Sequence, residues 1–81
     1  MSSEKYNIVI ASDVNKRDGI GIEVYNDEEL ILEIFRDDTE MTRTVTLYRK
    51  DIQLDFLDEC IRSFKKEIPW DFIDYNKLEH D

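Results

Sequence analysis

Apolar residues recur at every second position in the first part of the chain and at helical spacing after residue 50. Tyr6, Ile8 and Ile10 share one face of residues 6–11, and Ile20, Ile22 and Val24 alternate with Gly21, Glu23 and Tyr25. Leu30, Leu32 and Ile34 share one face of residues 30–36, and residues 42–48 are rich in β-branched side chains. Four strands are therefore predicted. Polar connections separate them: a segment closed by Gly19, a short hairpin loop at residues 26–29, and a turn at residues 37–41. Asn26 and Asp27 suit the hairpin because both tolerate left-handed backbone angles.

Residues 51–68 read as one long helix, with Leu54, Leu57, Ile61, Phe64 and Ile68 forming its apolar stripe. Asp55, Asp58 and Glu59 fill its first turns and Arg62, Lys65 and Lys66 its last, which complements the helix dipole at both ends. Asp51 and Gln53 are both candidates for the cap, and Pro69 blocks continuation. Residues 70–75 form a second apolar patch, expected as a short helical segment with Pro69 at its first position.

These elements predict an α+β fold: a four-stranded antiparallel meander packed on one long C-terminal helix, plus the short segment. The 81 residues make a single domain, with 1–4 and 76–81 expected as loose ends. The strand face meeting the helix should comprise Ile8, Ile10, Ile20, Ile22, Val24, Leu30, Leu32, Ile34, Val45 and Leu47. The opposite face mixes Val9, Tyr25, Ile31, Phe35 and Tyr48 with Glu23, Glu33, Thr44 and Thr46. That is more apolar than water requires, so the tail, a second copy or a foreign partner should cover it.

Charge changes the picture more than composition does. Eleven basic against 20 acidic residues give −9, the wrong sign for displacing counterions from nucleic-acid phosphates or for settling on an anionic membrane. A basic protein partner suits it, while solubility alone would also account for the acidity. A meander brings alternate loops to the same end. Asp27, Glu28 and Glu29 should therefore gather with Asp51 and Asp55, and the other end should carry a mixture that includes Asp37, Asp38 and Glu40. Arg36, Arg43, Arg49 and Lys50 read as surface counter-charges to local acids.

Catalytic chemistry finds little footing. His80 is the only histidine and lies next to the last residue, so acid–base or nucleophilic devices built on histidine are not expected. One cysteine and one histidine cannot build a zinc site. The stretch beginning Asp13-Val-Asn15 superficially resembles a calcium loop, but Arg17 and Val24 stand where ligands are required. Two glycines cannot supply a phosphate-cradling loop. No cofactor is expected. Cys60, alone and beside the helix stripe, reads as a small buried hydrophobe in a reducing compartment. No apolar run approaches membrane-spanning length and no signal peptide is recognisable, so a cytoplasmic protein is expected. Trp70 fits either a plug over the helix end or an aromatic anchor at an interface.

The order of four strands and a helix, with residues 44–64 spanning strand 4 and the helix, resembles the half-unit of Whirly-like single-stranded-DNA-binding folds. The acidic net charge departs from that family. The whole small acidic chain, especially RDGIGIEVYNDEELILEIFRDD and TRTVTLYRKDIQLDFLDECI, also resembles small bacterial immunity proteins, including those of contact-dependent growth inhibition systems. That second resemblance implies a non-enzymatic cytoplasmic protein that covers the active site of a cognate toxin, often a basic nuclease. The expected contacts are Asp27, Glu28, Glu29, Asp51 and Asp55, then Asp37, Asp38 and Glu40, with Tyr25, Phe35, Tyr48 or Trp70 as anchors. The competing expectations are a Whirly-like single-strand-binding homodimer, with Tyr25, Phe35 and Tyr48 stacking bases, and a homodimeric binding module of another kind.

Overall fold

In the computed structural model, which describes residues 6–12 and 18–73, strand alternation yields a four-stranded sheet and helical spacing yields one helix. The strands β1 (Tyr6–Ser12), β2 (Gly19–Asn26), β3 (Glu29–Asp37) and β4 (Thr42–Leu47) pair antiparallel in the order β1-β2-β3-β4. The helix α1 (Leu54–Glu67) completes an α+β meander, as the pattern predicts. Asp27 turns the β2–β3 hairpin with a left-handed φ of 57°. After β3 the carboxylate of Asp37 accepts the backbone N–H groups of Thr39 and Glu40, each at 2.9 Å, and Met41 takes φ 61°. No helix among the described residues is long and apolar enough to cross a membrane. Residues 1–4 and 76–81 lie outside the described residues.

Strand register aligns two apolar rows across all four strands. One is Ile8, Val24, Leu32 and Leu47; the other is Ile10, Ile22, Ile34 and Val45. Only the middle pair of each row is buried, in a core shared with Ile31, Cys60, Phe64 and Ile68. A helix about 10–12 Å across spans roughly two strands spaced about 4.8 Å apart. Hence Ile8, Ile10, Val45 and Leu47, expected under α1, stay half exposed on the flanking strands. Each central side chain that is fully buried contributes roughly 1.5–3 kcal/mol before entropy.

Two further expectations change for local reasons. Leu54 is 76% exposed, not part of the stripe. At roughly 100° per residue it sits about 120° around the helix from Cys60, and the buried face is centred on Cys60 and Phe64 with Phe56, Leu57 and Ile61 at its margins. In β3, Val24 pairs with Leu32 and Tyr25 with Leu30, which leaves Ile31 as an extra residue in a bulge. The bulge turns Ile31 into the core at 1% exposure, while Leu30 stays partly exposed beside Tyr25. The sequence alternation placed these two the other way round.

The helix stops where Ile68 becomes extended, at φ −114° and ψ 124°, with its N–H on the Phe64 carbonyl. A residue before proline is pushed out of the helical region, and Ile68 stays buried as the last core residue. The expected short helix does not follow over residues 70–73, and residues 74–75 lie outside the described range. The carbonyls that such a helix would use are taken. Arg36 Nη1 donates to the Pro69 carbonyl at 2.7 Å, Arg43 donates to the Trp70 carbonyl at 2.7 and 3.1 Å, and the Ile73 N–H goes to Asp38.

Arg36 and Asp38, expected at the surface, are buried together. Arg36 Nη2 donates to Asp38 Oδ2 at 3.0 Å; Nε lies 3.0 Å from Oδ1 but its N–H is not aimed at the oxygen, so the pair has one well-formed bond and one close contact. The Asp38 N–H also donates to the Asp18 carbonyl at 2.7 Å. This node joins the start of β2, the end of β3 and the chain beyond α1. Asp38→Ala should cost about 3–5 kcal/mol in urea unfolding, because it strands a buried guanidinium. Replacing both partners, Arg36→Met with Asp38→Leu, should cost less than that single change.

Candidate functional site at the acidic end of the sheet

The turn between β2 and β3 and the junction between β4 and α1 meet at one end of the sheet. Arg49 makes the join, its Nη2 lying 3.2 Å from Glu29 Oε1 in an exposed ion pair. Beside it a cleft of about 160 Å³ is lined by Tyr6, Ile31, Arg49, Asp51, Ile52, Gln53 and Phe56. Tyr6 and Phe56 form its aromatic wall, with ring centroids 4.3 Å apart. The helix starts at this cleft, its N-cap Gln53 making no side-chain capping bond. Asp27, Glu28, Glu29, Asp51 and Asp55 are all exposed here. The meander thus brings together the carboxylates that loop alternation predicted. Among them only Glu29 has a side-chain partner at this end, and a pair that exposed is worth little.

The second acidic group behaves differently. Asp37 is spent on the Thr39 and Glu40 N–H groups, and Asp38 on Arg36 and Ile73, both carboxylates being turned inward. Of that group only Glu40 is exposed. Adjacency in sequence could not show this, because an aspartate next to a turn can face either water or its own backbone.

The proposed anchors also separate. Phe35 is buried at 2% exposure, with its ring over Gly19, where a Cβ would come within 2.7 Å of it. Gly21 lies flat on the same strand: a Cβ there would strike the Ile34 carbonyl and the Phe35 Cα. Phe35 therefore cannot stack on an incoming group. Tyr25 donates its hydroxyl to Glu23 at 2.8 Å; that bond first, then desolvation and the charges of Glu23 and Glu33, raise its phenol above the ordinary 10.0. Tyr48 is exposed beyond β4. Trp70, 48% exposed, neither plugs the core nor stands free: the Arg43 guanidinium lies 3.8 Å from its ring centroid and 4.2 Å from that of Phe72. Of the cations read as surface counter-charges, Arg49 answers a local acid at the surface, Arg36 answers Asp38 but is buried and also holds the Pro69 carbonyl, and Arg43 holds the Trp70 carbonyl.

Tyr6 and Phe56 were not among the expected contacts. Their signal was present in the apolar face of β1 and the first turn of α1, but only the fold brings the two rings together. Among the described residues no cluster of three metal-ligating side chains occurs. No family model, curated protein or solved structure matches the chain.

Cys60 is buried as expected, and burial first and Glu59 second push its thiol from 9.0 up to about 11. The folded chain then holds this proton more tightly than the unfolded chain. The resulting stability is fully present below pH 9 and is lost as pH rises toward about 11. Urea melts across that window should show a steeper loss for the native chain than for Cys60→Ala.

Proposed function

We propose that this chain is a non-enzymatic, cytoplasmic immunity-type protein that neutralises a cognate basic nuclease toxin by covering its active site. The reading rests on one observation: five exposed carboxylates, Asp27, Glu28, Glu29, Asp51 and Asp55, share one end of the sheet around an aromatic-walled cleft. A nuclease cleft is built to attract phosphates. Exposed carboxylates gathered at one end can occupy it as phosphate mimics, while Tyr6, Phe56 or the nearby Tyr48 supplies apolar contact. The −9 charge would speed encounter with a basic partner. The resemblance to small acidic immunity proteins supplies the class of partner. Single-strand binding gains no support, since Phe35 is buried and Tyr25 is tied to Glu23 among acids.

Tagged full-length chain should co-purify with the product of its upstream neighbouring gene and block that protein's nuclease activity. Its association rate should fall steeply as salt rises; a rate indifferent to salt would rule out the electrostatic part of the proposal. Reversing Asp27, Glu28 and Asp51 to lysine should slow association by about tenfold or more, within the range that steering can supply. Glu28→Lys and Asp51→Lys, both exposed, should change stability little, whereas Asp27→Lys should cost about 1 kcal/mol at its left-handed φ of 57°.

A further inference from the structure

β1 forms one edge of the sheet, with β2 on one side and, among the described residues, no strand on the other. It is the one element without a charged residue, in a chain whose charged residues amount to 38%. Soluble proteins guard edge strands with lysine, proline, bulges or inward charges. β1 has no lysine or proline, and its register with β2 runs unbroken from Tyr6 to Ser12. Both its faces are apolar and open: Ile8 and Ile10 on the helix side are 43% and 51% exposed, and Val9 on the other side is 45% exposed. β4, the opposite edge, differs. It carries a charged residue, Arg43, which pairing two copies there would place in the interface.

The order of residues in β1 is self-complementary. About a two-fold axis at Val9, antiparallel pairing sets Val9 against Val9, Ile8 against Ile10, Asn7 against Ala11 and Tyr6 against Ser12. Each residue meets one that points to the same face, so the helix-side row of one copy continues into that of the other. Ile8 and Ile10 line a groove of about 280 Å³ with Ser63 and Glu67 of α1, and the partner's isoleucines would close its open side.

We propose that two copies of this chain pair through β1, giving one continuous eight-stranded antiparallel sheet. The self-complementary order of β1 selects a second copy as the occupant, and charge selects the strand. Two chains that each carry −9 repel, and they can meet at close range only where carboxylates are scarce. Association should accordingly strengthen as salt screens that repulsion. The pairing does not use the carboxylates at the acidic end, so it stands or falls apart from the toxin-binding proposal.

Sedimentation equilibrium of the full chain at micromolar concentration should give twice the 9.8 kDa chain mass. Val9→Lys, which sets two ammonium groups against each other at the axis, should give the single-chain mass with an unchanged circular-dichroism spectrum. Val45→Lys, at the opposite edge, should leave the dimer intact. Hydrogen exchange of the native chain provides a readout independent of any variant: β1 amides should lose protection on dilution. A native chain that stays single at every concentration overturns the proposal, whether its β1 amides are open or are covered by its own residues. Persistence of the dimer in Val9→Lys with loss in Val45→Lys also overturns it, as does a β1 edge that pairs only with a strand of another protein.

Discussion

The contact between Arg36 and Asp38 holds together parts of this domain that the hydrophobic core does not reach. The core lies between α1 and the two central strands. The polar node lies at the sheet end where α1 finishes, and it fastens Asp18, Pro69 and Ile73 to the end of β3. A small domain has few buried apolar groups to spare, so a charged pair in the interior needs its surplus donors and acceptors occupied. Here backbone groups do this for every surplus group but the Arg36 Nε–H, and residues 69–73 are held as a strap without a helix of their own.

The two acidic ends therefore differ in what holds their carboxylates. Both ends have similar numbers of carboxylates in the sequence. At one end Asp37 and Asp38 are bound to backbone N–H groups and a guanidinium; at the other all five face water around Tyr6 and Phe56. The helix, which has the most pronounced pattern in the chain, reaches the acidic end only with its first turn.

Much of this was legible in the residues. Alternation located four strands within a residue or so, the short connections implied a meander, and loop alternation brought the Asp27–Glu29 turn to the start of α1. What was not legible depends on geometry between elements. Leu54 satisfied helical spacing but lies outside the face that the sheet selects, and no pattern within the helix reveals where a neighbour will be. Ile8 and Leu47 satisfied strand alternation, but one helix is too narrow to cover four strands. Arg36 and Asp38 looked like surface charges because charge ordinarily is, and only the returning chain made their burial tolerable. Phe35 looked like an anchor on a mixed, half-apolar face; Gly19 and Gly21 are the clue to its burial, since only a residue without a Cβ leaves room for the ring.

The extra residue at Ile31 also bears on how such a chain can change length over evolution. Elsewhere in β3, losing or gaining one residue would swap inward and outward side chains from that point onward. At the bulge the two strands already differ in count: losing Ile31 would leave Leu30 opposite Tyr25 and Leu32 opposite Val24, with faces preserved. The cost would be one core side chain and not the whole register. Related chains one residue shorter in β3 would therefore be expected to have lost that residue here, and an alignment that places the gap elsewhere in the strand would misassign which residues face the helix.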